Sequence, residues 1–93
     1  MQKFKLGDKV KWKSSASGTW KEKTGEIVYI VKENIEHPTR KWLELKFKAS
    51  AAPLDEAWPR DHESYIVRVP SGTKAKDKLY WPLVSKLELV HEF

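Results

Sequence analysis

Lys9, Lys11 and Lys13 occupy alternate positions of "KVKWK", with Val10 and Trp12 between them. In an extended strand this spacing puts three ammonium groups on one face and two apolar side chains on the other. The strand repeat sets the charges roughly 7 Å apart, comparable with the phosphate spacing along one nucleic-acid strand. Such a row tracks a polyanion backbone without reading its sequence. Trp20, Lys21 and Lys23 follow in "GTWKEK", a loop that would widen the basic patch. Trp42 and Arg68 fall on the outward sides of their segments. An exposed Trp stacks on any base for about 1–3 kcal/mol, and Arg68 offers a phosphate contact or a planar stacking surface. The same lysines equally suit a solubilising strand face. For each Trp, core packing competes with ligand stacking.

The aromatic residues support a second chemistry. Tyr29, Trp42, Trp58 and Tyr80 would line a groove for a proline-rich peptide, or cage a modified cationic side chain, if they converge. The two chemistries differ in salt response: backbone binding weakens steeply with ionic strength, and an aromatic groove for a neutral peptide does not.

Catalytic and metal chemistry find little support. The chain has no Cys, which removes disulfides, thiolate ligands and a cysteine nucleophile. His37, His62 and His91 are scattered without ligand spacing, so no metal is expected. "RDHES" holds Asp61, His62 and Ser64, but neighbours on one loop seldom converge as a triad, and they read as a polar loop. Gly7, Gly18, Gly25 and Gly72 are too dispersed to cradle a phosphate. The expectation is a non-enzymatic protein without a cofactor.

The net charge of +5 is unevenly placed: residues 1–32 carry +5, residues 33–62 carry −1 and residues 63–93 carry +1. A concentrated positive field favours a polyanion partner. The 93 residues suffice for a single domain spanning 1–93 with one small core. Five Trp, three Tyr and three Phe supply its burial, with Trp12, Tyr65, Trp81 and Leu87 as core candidates. No apolar run is long enough to span a membrane. "MQKFKLGD" lacks the apolar stretch of a signal peptide. The plain expectation is a soluble cytoplasmic protein, bacterial or phage-borne.

Short strands must position these residues. After the Gly7-Asp8 turn, alternation predicts a strand through Lys13, and "SSASG" at 14–18 predicts a loop. Ile27 to Val31 reads as a strand buried on both faces, with Gly25 marking a bulge or tight bend before it. "KWLELKFK" alternates again and predicts a strand with Leu43, Leu45 and Phe47 inward. Residues 49–62, with two Pro, predict a long irregular loop. "ESYIVRV" predicts a fourth strand, and "TKAKDK" a polar hairpin loop. Pro82 to Ser85 predicts one 3₁₀ turn, and Leu87 with Leu89 a closing strand. The fold class is therefore all-β, a single five-stranded SH3-like barrel whose closure protects its edges. An OB-type barrel is the alternative, although the two Pro argue against the helix it needs in 49–62.

"LGDKVKW", "TGEIVYI", "SYIVRVPSG" and "LYWPLVSKLELV" together resemble the Tudor-like and KOW-like branch of SH3-like barrels. The chain is similar to the small Tudor-like domains of bacterial hypervirulence-associated proteins. Its Ser-Tyr-x-Val-Arg-Val and Tyr-Trp-Pro pieces resemble a group of uncharacterised bacterial and phage proteins. The resemblance covers nearly the whole chain and departs from the pattern at Ala51–Asp61, an apparent insertion. It implies a binding module for nucleic acid, ribosomal RNA, methylated side chains or proline-rich peptides, among which the fold does not choose.

Overall fold

A computed structural model describes residues 4–16, 19–52, 54, 59–72 and 76–90. Five antiparallel strands form one sheet: β1 (Lys9–Ala16), β2 (Thr19–Val31), β3 (Ser64–Val69), β4 (Lys78–Tyr80) and β5 (Glu88–Leu89). Helix α1 (Arg40–Phe47) lies between β2 and β3, and a 3₁₀ turn (Val84–Lys86) precedes β5. The strand order is β4-β3-β2-β1-β5. Among the described residues β4 and β5 remain edges that do not pair with one another, so the sheet is open. No helix among those residues is long and apolar enough to cross a membrane.

The 13-residue β2 organises the sheet. Its first part pairs with β1 and its second with β3, and Glu26 faces Lys9 on one side and Arg68 on the other. Gly25 stands at this handover. It pairs regularly with Val10, and its function is close approach: a β-carbon there would overlap the Arg68 carbonyl and come within 2.7 Å of Val67 Cγ1. The register shift lies further on, between Ile27 and Tyr29. It puts Val28 and Tyr29 on the same side, so strict alternation fails inside the β-branched run.

Both faces of the central strands are covered, as the Ile27–Val31 run suggested. One face holds Phe4, Val10, Trp12, Ile27, Tyr65, Val67 and Leu87. Phe4 meets Tyr65 edge-on at 5.3 Å, and its amide donates to the Tyr65 hydroxyl. The other face holds Val31, Leu43, Ala49, Ala51, Leu54, Ile66, Leu79 and Trp81. The four core candidates from the sequence are all buried.

Residues 41–48 depart from the expected strand. The Thr39 hydroxyl accepts from the Trp42 amide and caps α1, while Lys48 ends it in the left-handed region. Leu43 and Phe47, four apart, turn inward in the helix, and Leu45 is 73% exposed. The fifth strand is supplied instead by Lys78–Tyr80. A parallel bridge from Ser50 to Lys78 ties the following segment to the β4 edge, protecting that edge from pairing with another chain. The 3₁₀ turn starts two residues later than Pro82, at Val84. Residues 73–75 of the "TKAKDK" segment lie outside the described residues.

Three hydrogen bonds fasten the segment around Trp81. Arg60 donates to the carbonyls of Trp81 and Pro82, both at 2.9 Å, and lies 3.8 Å over the Trp81 ring. Burial pushes its pKa below the usual guanidinium value. The Trp81 indole N–H donates to Ser64 Oγ at 2.8 Å, which satisfies the one buried polar side chain among the described core residues.

Candidate functional site

The register decides which charges share a face, because directly opposed residues project to the same side of a sheet. Lys9, Lys11 and Lys13 face Glu26, Thr24 and Glu22, and Ser15 faces Trp20. The three lysines and Trp20 therefore occupy one face, opposite buried Val10 and Trp12. Lys21 and Lys23 project to the other side: Lys23 faces Trp12, and its ammonium lies 5.1 Å from the Tyr80 ring centroid.

Trp20 and its neighbours sit in strands, not in a loop. β1 continues to Ala16 and β2 begins at Thr19, so the hairpin extends as a two-stranded arm. Trp20 is 64% exposed on this arm. β5 closes the other side of the face, with Glu88 opposite Lys11. The result is an open groove of about 320 Å³ whose lining includes Trp12 as well as Lys11, Lys13, Trp20, Glu22, Lys86 and Glu88. A second depression continues around Trp20 between Lys13 and Glu22. Lys86 reaches to 6.0 Å from the Trp20 ring centroid, a cation–π distance.

Lys86, Glu22 and Glu88 were not singled out from the sequence. The alternation of Leu87 and Leu89 with Lys86 and Glu88 contained the signal, once β5 is paired with β1. Leu87 is buried, but Leu89 is 42% exposed at the sheet edge. With Lys9 and Glu26 included, four ammonium groups meet three carboxylates on this face. The field is a modest positive one focused near Trp20, weaker than a row of lysines alone would create.

Arg68 faces Glu26 and so shares the lysine face, two strands away from Lys9, but its Nε donates to Asp77 at 2.8 Å, so its guanidinium is already engaged. That hydrogen bond holds the Asp77 carboxyl below its usual pKa. The other candidates lie apart. Trp42 meets Tyr29 edge-on at 6.0 Å beside α1. Tyr80 packs instead against Trp12 at 5.8 Å, in the cluster on the opposite face. The structure therefore joins Tyr29 to Trp42 and does not bring Tyr80 to them. Trp58 lies outside the described residues.

His62 and Asp61 form an exposed pair at 2.8 Å, and the hydrogen bond from His62 lowers the Asp61 pKa. Ser64 is buried, and its Oγ accepts from the Trp81 indole N–H rather than from that exposed pair. The chain matches no protein-family model, no curated protein and no solved structure.

Proposed function

We propose that the protein is a small, non-enzymatic nucleic-acid-binding accessory module of the Tudor-like, SH3-like type. The observation that carries this reading is the exposed Trp20 on the face of Lys11 and Lys13, with Lys86 across the groove. A meander whose fifth strand returns to the first, after a 3₁₀ turn, supports the barrel relationship. The inserted α1 is a departure from that plan.

Binding in this reading is aromatic stacking assisted by a few ammonium–phosphate contacts. One indole presents one base-sized surface, and the flanking lysines follow the backbone. Carboxylates at Glu22 and Glu88 restrict the approach, so about three lysines contribute and the affinity for single strands falls with a log–log salt slope of about −2. Sequence-specific base reading is no part of the mechanism. The test is titration of fluorescein-labelled single- and double-stranded oligonucleotides at several salt concentrations, with Trp20→Ala alongside. Saturable, salt-sensitive binding weakened by the variant is expected. Absence of binding by the wild type at low salt would falsify the reading.

A further inference from the structure

Helix α1 presents a second surface that the nucleic-acid groove does not use. At 100° per residue, Lys41, Leu45, Trp42 and Lys46 fall in that angular order on one side, opposite Leu43 and Phe47. Leu43 is fully buried, whereas Trp42 is 44% and Leu45 73% exposed. Two apolar side chains thus lie between two lysines, and Tyr29 extends the apolar part by its contact with Trp42. The Lys46 ammonium sits 5.5 Å from the Trp42 ring centroid.

The helix's other charged groups are turned to structural work. Glu44, its sole carboxylate, accepts from the Ala51 amide at 2.8 Å. Arg40 donates to the Ala51 carbonyl at 3.2 Å. These two bonds hold the residues after α1 against the helix and leave its outer side with positive charge only. Exposed Lys48 follows at the C-cap and adds to the same sign. Adjacent Trp and Leu in the open, bordered by one sign of charge, is the composition of an anchor patch with a charged rim.

We infer that the outer face of α1 docks an acidic amphipathic protein segment. The segment's apolar side chains cover Trp42 and Leu45, and its carboxylates meet Lys41 and Lys46. The charge complementarity selects this occupant: a basic segment would bring ammonium groups against the lysine borders. This surface is independent of Trp20 and stands or falls separately from nucleic-acid binding.

The probe is a fluorescein-labelled synthetic peptide with Leu and Phe at helical spacing and Glu elsewhere, titrated into the full chain and followed by amide NMR. Saturable shifts confined to α1 and Tyr29 are expected. Trp42→Ser should weaken binding about tenfold or more, as expected of a central aromatic anchor. Lys41→Glu with Lys46→Glu should abolish binding of the acidic peptide and confer binding of a Lys-for-Glu version. This charge swap also decides the matter if Trp42→Ser does not fold. Trp20→Ala should leave the peptide affinity unchanged. No binding, shifts elsewhere, an unaffected charge-reversed variant, or binding to phosphatidylserine vesicles in place of the peptide overturns the inference.

Discussion

Gly25 rests against the Arg68 carbonyl so closely that no side chain fits between them, with Val67 Cγ1 only 2.7 Å from where a β-carbon would stand. Here β2 passes from one partner strand to the other. Gly25→Ala must push the β3 backbone away, and overpacking of this kind costs about 1–3 kcal/mol or more. Urea denaturation should show a lower midpoint with little change in slope.

Helix α1 makes opposite demands on two leucines that a strand would treat alike. Leu43→Ala should cost about 2–5 kcal/mol because its site is fully enclosed. Leu45→Ala should remain within about 0.5 kcal/mol of wild type, as surface substitutions do. Equal losses at both positions would contradict the helix. Thr39→Ala, which removes the cap, should cost about 1 kcal/mol.

Acid should release the tie between Arg68 and Asp77. The hydrogen bond from Arg68 lowers the Asp77 pKa below its ordinary 3.8. Its stabilisation is therefore complete above that ordinary value and is lost as pH falls through the lowered one. Asp77→Asn should be less stable near neutrality, and its stability should decline less steeply below about pH 4. Thermal melts across the acid range test the sign.

The two faces of the hairpin arm should separate in binding assays. Trp20→Ala should lose about 1–3 kcal/mol of oligonucleotide affinity. Lys11→Ala and Lys13→Ala should each reduce the single-strand salt slope by about 0.7. Lys21→Ala and Lys23→Ala should leave both quantities nearly unchanged, since these side chains leave the opposite face.

Periodicity made β1, the second half of β2 and β3 legible, because Val10, Trp12, Ile27, Tyr65 and Val67 repeat in the sequence the burial they have in the fold. It misread 41–48 because Leu43, Leu45 and Phe47 satisfy strand alternation while Leu43 and Phe47 also satisfy helical spacing. Thr39 was the available start signal, but no Gly marks the end, which Lys48 makes at φ 51°. The lysine face was legible from β1 alone. Its partner residues were not, because cross-strand parity depends on where the hairpin turns. A loop over 14–18 leaves Trp20 unplaced, whereas pairing Ser15 with Trp20 puts it beside Lys13.

The β1–β5 seam also sets an order of assembly. β1 and β2 meet as neighbours in the chain, whereas β5 reaches Val10 and Lys11 only after almost the whole chain has intervened. Closing so large a loop costs more entropy than closing a hairpin, and β5 contributes just two ladder residues in return. Its ladder is therefore expected to form late and to fray first, which native-state hydrogen exchange at Lys9, Lys11 and Val90 would check. Because Lys86 and Glu88 travel with that seam, one wall of the groove is its most labile part, and a ligand spanning both walls would fasten the sheet shut.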